Sequence, residues 1–339
     1  MQKPRKLFLF TAATIVLLIL FWFIINAIHF IKKPLLANNQ PSTTFILRQG
    51  TSLKRLANDL EKQNLLHHKT VFIFLARLSN STHNLKPGEY SITSDTTPLQ
   101  LLHKLTSGEM IHHEVTLVEG WTFKQILAAL AANQYLKHSL QEASNEEIMR
   151  LIGHEGENPE GRFAPDTYLF SGQTSDIDVL KSSYDLMQKR LQEAWEHKDS
   201  TSLPYHCPYE TLIVASIIEK ETAYAKEKPL IAGVIIHRLT IGMPLQVDPT
   251  VIYGLGTRYT GKLTFNDLLH DTPYNTYTRK GLPQTPIAAA SLESIEAALH
   301  PIMTNALYYV AKGDGSHVFS TTLKEQNAAI KRFRKKNTE

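Results

Sequence analysis

Residues 211–222 read TLIVASIIEKET, an almost wholly apolar run that ends in two carboxylates, Glu219 and Glu221. The run lies within Tyr209–Ala225, the clearest helix prediction after the N-terminal segment. A carboxyl group held against apolar surface has a raised pKa, because desolvation disfavours the ion, and it can donate a proton near neutral pH. Spacing alone favours a plainer interpretation, in which the helix leaves the core and its charged end is solvated. The two carboxylates are about 200° apart around a helix, so they do not form a ready-made pair.

The composition excludes several classes of protein. The chain has 339 residues, and its hydrophobic fraction of 42% and charged fraction of 20% are typical of a folded globular protein. The net charge of +4 comes partly from basic termini, and no broad basic face with interleaved aromatic residues is present. We therefore expect no nucleic-acid partner. A single cysteine, Cys207, excludes an intrachain disulfide.

The N-terminus predicts a membrane anchor. Residues 7–30, LFLFTAATIVLLILFWFIINAIHF, contain no Asp, Glu, Lys or Arg. A helix of this length would be about 36 Å long, enough to cross a hydrocarbon core of about 30 Å. More basic residues precede the segment than follow it, which favours a cytoplasmic N-terminus. We therefore predict a single-pass membrane anchor that carries an exported catalytic or binding region. A cleaved signal peptide is the alternative interpretation.

The rest of the chain predicts an α+β architecture in two parts. The expected divisions are a cytoplasmic tail at 1–6, the transmembrane helix at 7–30, a linker at 31–43, a small α+β module at 44–112 and a larger α+β catalytic domain with a substrate cleft at 113–339. In the small module, the run RQGTSL at 48–53 reads as a glycine turn followed by a helix capped by Ser52. This opening resembles a LysM-like glycan-binding module, although a plain packing module fits equally well.

Three loops combine polar and aromatic residues in a way that suits sugars. The stretch 159–168, PEGRFAPDTY, contains Glu160 and Asp166 among prolines and aromatic residues. The stretches 243–253, MPLQVDPTVIY, and 273–277, PYNTY, offer amides, hydroxyls and tyrosines that can bind carbohydrate hydroxyl and acetamido groups. Ordinary proline-directed turns are the alternative interpretation. The fifteen histidines lack the spacing of a His-Glu-x-x-His motif, so we expect no metal, and no nucleotide-binding fingerprint is complete.

Several motifs in order resemble one family. ASIIEKET, MPLQVDPTVIYGLG, TPYNTYTRKGLP and the late GDGSHVF look like the endolytic murein transglycosylases of the YceG-like family, over about the last 230 residues. The resemblance implies a lyase that cleaves nascent glycan strands between N-acetylmuramic acid and N-acetylglucosamine, leaves 1,6-anhydro ends and needs no cofactor. It places the catalytic acid and base on Glu219, a choice that helical geometry alone does not make over Glu221. Peptidoglycan, the cytoplasmic membrane and the peptidoglycan synthases are the implied partners. The resemblance also implies a place in the bacterial inner membrane, with the catalytic region in the periplasm.

The resemblance also implies a set of substrate-binding residues. These are Gln246, Asp248, Thr250, Tyr253, Asn275, Thr276, Tyr277 and His317, with Glu160 and Asp166 in supporting or purely structural roles. The stretch 284–291, QTPIAAAS, departs from the family pattern, since it lacks the usual glycine and second proline. A non-catalytic peptidoglycan-binding scaffold is the alternative function. A hydrolase would need a second positioned base or nucleophile, which the sequence does not identify.

Overall fold

The computed structural model describes residues 14, 15, 17, 18, 21, 25, 26, 28–36, 41–82, 84–198 and 203–336. These residues form two compact units. The first contains the described residues up to His113 together with Leu169–Thr174, and the second contains Glu114–Tyr168 and the described residues from Ser175 onward. The predicted α+β class is confirmed, since helices and short strands occur in both units.

The predicted transmembrane helix at 7–30 needs correction. A membrane-spanning helix requires about 20 consecutive apolar residues. Only part of this segment belongs to the described residues, where helical positions run in short groups and reach Lys32. No helix within the described ranges is both long enough and apolar enough to cross a bilayer. The predicted tail at 1–6 lies outside the described residues.

The first unit is built on one antiparallel strand pair. Its elements are β1 (Thr43–Leu47), α1 (Leu53–Lys62), α2 (Lys69–Leu78), β2 (Gly88–Ile92) and α3 (Pro98–Ser107). Phe45 of β1 lies opposite Tyr90 of β2, and both side chains are buried in the core of the unit. Ser52 caps α1 as predicted, because its hydroxyl oxygen accepts a hydrogen bond from the Arg55 backbone N–H. The LysM-like resemblance and the other predicted domain limits stay predictions.

The remaining elements belong mostly to the second unit. They are β3 (His113–Leu117), α4 (Phe123–Ala132), α5 (Asn145–Ile152), β4 (Asp166–Phe170), α6 (Asp176–Glu196), α7 (Pro208–Glu221), α8 (Lys228–Thr240), α9 (Asp248–Leu255), α10 (Phe265–Leu269), α11 (Leu292–Leu299), β5 (Tyr308–Ala311), β6 (His317–Ser320) and α12 (Leu323–Lys336). β3 pairs with β4, and β5 and β6 form an antiparallel hairpin. Short 3-10 turns precede α8 and follow α9.

Helix α7 is the centre of the second unit. All eight residues from Thr211 to Ile218 are buried, and α6, α8, α9 and α11 pack around the helix. Such complete burial explains why the sequence shows no amphipathic pattern here. The helix ends at Glu221, four residues earlier than predicted, because Thr222 has an extended backbone. Helix α11 begins at Leu292, after a buried non-helical stretch.

Candidate active site

Glu219 is held by a dense network of donors. Its Oε2 atom accepts hydrogen bonds from the Ser291 N–H at 2.9 Å, the Ser291 hydroxyl at 2.5 Å and the Ser294 hydroxyl at 2.7 Å. The Lys228 ammonium donates to the same oxygen at 3.1 Å. Ser291 is the N-cap of α11, so the carboxylate lies at the positive end of that helix. The network therefore ties the last turn of α7 to α8 and α11.

These donors keep Glu219 ionised. Burial alone would raise the pKa of this carboxyl group, since only 7% of its side chain is exposed. The hydrogen bonds from Ser291 and Ser294 and the charge of Lys228 outweigh burial and hold the pKa below its ordinary value. The sequence-based expectation of a raised pKa in an apolar helix is therefore wrong for Glu219. Its carboxylate also has no proton to donate near neutral pH.

Glu221 lies in the opposite electrostatic environment. Burial and, to a smaller extent, the negative charge of Asp248 raise the pKa of this carboxyl group, which is about 7. A hydrogen bond from the Tyr309 hydroxyl and the charge of Arg238 lower it by less. The residue keeps partial contact with solvent. Glu221 is thus the carboxyl group of the pair that carries a proton in a substantial fraction of molecules at neutral pH.

Fixed partners hold the groups around Glu221. The Tyr277 hydroxyl donates to Asp248 Oδ1 at 2.5 Å, which fixes the first residue of α9. The Arg238 guanidinium is buried, donates to the Leu307 carbonyl at 2.6 Å and lies over the Tyr308 ring. The charges near Glu221 therefore belong to side chains with defined positions.

His317 anchors the hairpin that carries Tyr309. The His317 backbone N–H donates to Glu227 Oε1 at 3.0 Å, and its ring Nδ1 lies 2.8 Å from Glu227 Oε2. The ring also packs edge-on against Tyr309, with a centroid distance of 5.6 Å. Glu227 thus fastens the β5–β6 hairpin to the start of α8. By this contact His317 positions the tyrosine that binds Glu221.

A cavity is lined by residues that follow Glu221 along the chain and by the hairpin turn. It has a volume of about 520 Å³ and is lined by Ala223 and Tyr224, just after Glu221, and by residues 314–316 of the hairpin turn. The cavity size is within the range typical of small-molecule sites, roughly 300–1,000 Å³. A substrate bound there would lie next to the end of α7.

Four of the predicted binding residues form a framework beneath the site. The Thr276 hydroxyl accepts a hydrogen bond from the Val247 N–H at 2.9 Å and lies 2.9 Å from the Thr250 hydroxyl. The side chains of Thr250, Thr276 and Asn275 are buried. Gln246 has a positive φ of 49° and its backbone N–H donates to Thr276. Of these four residues, only Gln246 has an exposed side chain that could contact a ligand.

The other predicted residues lie in two separate places. Tyr253 donates its hydroxyl hydrogen to Glu160 Oε2 at 2.9 Å, in a second cavity. Asp166 forms an ion pair with Arg190, whose nitrogen lies 2.6 Å from Oδ2. Among the described hydrogen bonds and ion pairs, neither Glu160 nor Asp166 contacts Glu219 or Glu221. Within the same described ranges, no three His, Cys, Asp or Glu side chains gather as metal ligands would.

Sequence reasoning missed several residues of the site. Five side chains that contact or influence the two glutamates were not singled out from the sequence. They are Lys228, Ser291, Ser294, Arg238 and Tyr309. Ser291 is 72 positions from Glu219 along the chain, so no local spacing could have connected them. The available signal for Ser291 was its capping position before an apolar helix, which predicts a helix start but not an anionic partner.

The fold and site define an α+β protein with a carboxyl group suited to acid–base chemistry at the end of a buried helix. The chain belongs to the YceG-like family, whose model matches residues 45–332.

Curated relatives carry one common name. An endolytic murein transglycosylase of Bacillus subtilis (strain 168) is 30% identical over 322 residues, which cover 89% of this chain and 87% of that protein. A protein of the same name from Streptococcus pneumoniae (strain D39) is 27% identical and covers 82% of this chain, but the match spans 56% of its own length. A crystal structure of a yceG-like protein from Listeria monocytogenes is 27% identical, covers 86% of this chain and 99% of its own, and has a TM-score of 0.51.

Proposed function

We propose that the protein is a lytic transglycosylase that cleaves peptidoglycan glycan strands, with Glu221 as its acid and base. Family membership and the name shared by the curated relatives support the lyase class and the murein substrate. The observation that carries the assignment of the acid is the contrast between the two glutamates. Glu221 has a pKa of about 7 and is partly exposed, whereas the Glu219 carboxylate is buried, paired and ionised.

One carboxyl group is sufficient for this reaction. Protonated Glu221 donates its proton to the glycosidic oxygen between N-acetylmuramic acid and N-acetylglucosamine, and the C1–O bond breaks. The acetamido group of the muramic sugar stabilises the developing positive charge, as in substrate-assisted glycosidases. Ionised Glu221 then takes the proton from the C6 hydroxyl of the same sugar, whose oxygen bonds to C1. Ring closure within one sugar is favoured over attack by water through proximity.

Glu219 has a positioning role in this scheme. Its carboxylate binds Lys228 and Ser291 and so fixes the last turn of α7. Glu219 lies two residues before the proposed acid, Glu221. A helix end fixed in this way holds the Glu221 side chain toward Tyr309 and the charge of Asp248. The sequence-based choice of Glu219 as the acid is the alternative that the first experiment tests.

The finer features of the function follow from the chemistry and the family. The products carry 1,6-anhydro ends, and internal cleavage of nascent strands releases or shortens them and so ends their elongation. Because peptidoglycan lies outside the cytoplasm, the second unit acts on the outer side of the cytoplasmic membrane. Contact with the peptidoglycan synthases stays a prediction.

The test uses the full-length protein incubated with uncrosslinked glycan strands, and the products are resolved by mass spectrometry. Wild type, Glu221→Gln and Glu219→Gln are compared, with circular dichroism to confirm folding. We expect anhydro products, lighter than hydrolytic ones by one water molecule, from wild type and from folded Glu219→Gln. Glu221→Gln should lose at least about a hundredfold in rate, the usual contribution of a general acid.

Each contrary result has a defined meaning. Full activity in Glu221→Gln together with an inactive, folded Glu219→Gln would return the acid to Glu219. Strand binding by folded wild type without any cleavage would establish the non-catalytic scaffold instead. Ser294→Ala serves as a milder second variant of the Glu219 network if Glu219→Gln does not fold, and it should retain activity.

A hydrolase is the second candidate, because the structure supplies the second carboxylate that a hydrolase requires. Asp248 is exposed and close enough to raise the pKa of Glu221 by its charge. In a hydrolytic reaction Asp248 would activate water or stabilise the oxocarbenium ion. Cleavage in water labelled with oxygen-18 separates the two reactions. The label enters a reducing end during hydrolysis and is absent from an anhydro product.

A further inference from the structure

A second cavity in the second unit lies away from the Glu221 group. Its volume is about 730 Å³, within the roughly 300–1,000 Å³ of small-molecule sites. The start of α4, the loop at 158–160, the second half of α9 and Tyr274 surround it. Tyr253 and Glu160, which were predicted to bind substrate, lie here and not beside the acid.

The floor of this cavity is a buried, hydrogen-bonded carboxyl group. Glu160 is 6% exposed, and its two oxygens accept hydrogen bonds from the Phe123 backbone N–H and from the Tyr253 hydroxyl, both at 2.9 Å. Burial raises the pKa of this carboxyl group, although its hydrogen bonds act in the opposite direction. Because Tyr253 is tied to Glu160 and packs edge-on against Tyr274 at 4.7 Å, its ring is fixed in the wall of the cavity. A fixed aromatic ring offers an apolar face to the C–H face of a sugar.

Two amide side chains at the rim present donors. Gln125 uses its Oε1 atom to accept from the Thr122 N–H in a capping box, and Asn158 uses its Oδ1 atom to accept from the Glu160 N–H. Both residues line the cavity and are exposed. Their oxygens are therefore occupied, and the NH₂ groups are the ends left to contact a ligand. An NH₂ donor matches the carbonyl oxygen of an acetamido group.

The cavity lies at a distance along α9 that one glycan strand can span. Asp248, whose charge acts on Glu221, is the first residue of α9, and Tyr253 follows five residues later. At about 1.5 Å rise per residue, the two are roughly 7.5 Å apart along the helix axis. The two side chains are also about 140° apart around the helix, so a strand that presents one bond to Glu221 must pass around α9 to place a more distant sugar in this cavity.

We propose that this second cavity is a remote subsite that binds an N-acetylated sugar of the glycan strand. The proposal rests on the proposed function, since it assumes that the strand runs past Glu221. Tyr253 and Tyr274 supply the aromatic wall, and Gln125 and Asn158 recognise the acetamido carbonyl. The remote subsite gives affinity for strands longer than the sugars that flank the cleaved bond.

The test measures binding of chitotriose, the trimer of β-1,4-linked N-acetylglucosamine, by isothermal titration calorimetry. The full-length Glu221→Gln variant is the background, so that no cleavage occurs. Gln125→Glu removes the NH₂ donor and keeps the oxygen that caps α4. Gln100→Glu is the matched control, because Gln100 occupies the same position in the Thr97 capping box of α3, in the first unit. We expect about tenfold weaker binding from Gln125→Glu and no change from Gln100→Glu.

The outcomes separate this proposal from the proposed function. Absence of chitotriose binding, or equal affinity in Gln125→Glu and Gln100→Glu, would overturn the remote subsite, whatever Glu221→Gln does to cleavage. If Gln125→Glu does not fold, Asn158→Asp removes the other rim donor and must show the same loss. Specific chitotriose binding together with unimpaired cleavage by Glu221→Gln would leave the subsite standing and overturn the assignment of the acid.

Discussion

The Lys228 ammonium lies 3.1 Å from Glu219 Oε2, and both side chains are more than nine-tenths buried. Removing one partner of a buried ion pair leaves an uncompensated charge, which typically costs about 3–5 kcal/mol. Lys228→Met should therefore lower the free energy of unfolding by several kcal/mol. Chemical denaturation measures this loss directly.

An exposed ion pair provides the matched control for that measurement. Arg150 and Glu147 lie 2.6 Å apart on α5, with 55% and 41% of their side chains exposed. Solvent screens such a pair, so Arg150→Met should leave the free energy of unfolding almost unchanged. Equal losses of stability in Lys228→Met and Arg150→Met would show that the buried Lys228–Glu219 pair does not stabilise the end of α7.

The pH dependence of cleavage should change in opposite directions in two variants. Activity requires protonated Glu221, so kcat/KM should fall as pH rises through about 7. Tyr309→Phe removes a hydrogen bond that lowers the pKa of Glu221, and the alkaline limb should move to higher pH. Asp248→Asn removes a negative charge that raises this pKa, and the limb should move to lower pH. A pH profile of anhydro-product formation for both variants checks the signs, and shifts in one common direction would contradict Glu221 as the acid.

The stability of the protein should also depend on the proton of Glu221. The folded-state pKa of about 7 is above the ordinary value of 4.5, so the folded state binds more protons between these two pH values. The free energy of unfolding should therefore fall as pH rises through this window, and Glu221→Gln should reduce the slope. For Glu219 the sign is reversed, since its lowered pKa stabilises the fold above pH 4.5 and this contribution is lost at lower pH. Denaturation curves of wild type and both Gln variants from pH 2 to pH 8 separate the two contributions.

Two glycines near the Glu160 loop test local packing. Gly161 has a φ of +74°, and a Cβ atom there would lie 2.3 Å from Pro286 Cβ. Gly156 has a φ of +83° with nothing within 4 Å of the corresponding position. Gly156→Ala should cost about 1–2 kcal/mol for the backbone conformation alone, and Gly161→Ala should cost clearly more because Pro286 must move. Thermal unfolding measures the loss of stability in each variant. Equal losses would mean that Pro286 and the loop at 284–291 can move away from the added Cβ atom at no cost in free energy.

Local chemistry made much of the fold predictable. Ser52 was predicted to cap a helix of the first unit, and it does so. The end of α7 was placed four residues too late, since the helix-forming pattern runs past Glu221 and only Thr222 has an extended backbone. The membrane-spanning helix predicted at 7–30 was wrong for the described residues, among which no helix is long and apolar enough to cross a bilayer.

The site was less predictable, because it depends on contacts distant in sequence. Sequence pattern grouped Glu219 with Glu221 and could not assign them different protonation states. The difference arises from Ser291, Ser294 and Lys228, which lower the pKa of Glu219, and from burial and the charge of Asp248, which raise the pKa of Glu221. Thr250, Asn275 and Thr276 looked like ligand-binding residues because they are polar and adjacent to tyrosines. Their side chains instead satisfy backbone groups inside the loops, which only the folded chain reveals.

The junction between Glu227 and Lys228 has a consequence for how the chain can change in length. Glu227 holds His317 of the hairpin, and the very next residue, Lys228, holds the carboxylate two positions before Glu221. Successive residues of a helix point about 100° apart, so a one-residue insertion between them would turn one side chain away from its partner. Short turns between helices commonly accept insertions and deletions. Because Glu227 and Lys228 are adjacent, the β5–β6 hairpin and the end of α7 keep their positions around Glu221. Homologous chains should therefore vary in length elsewhere.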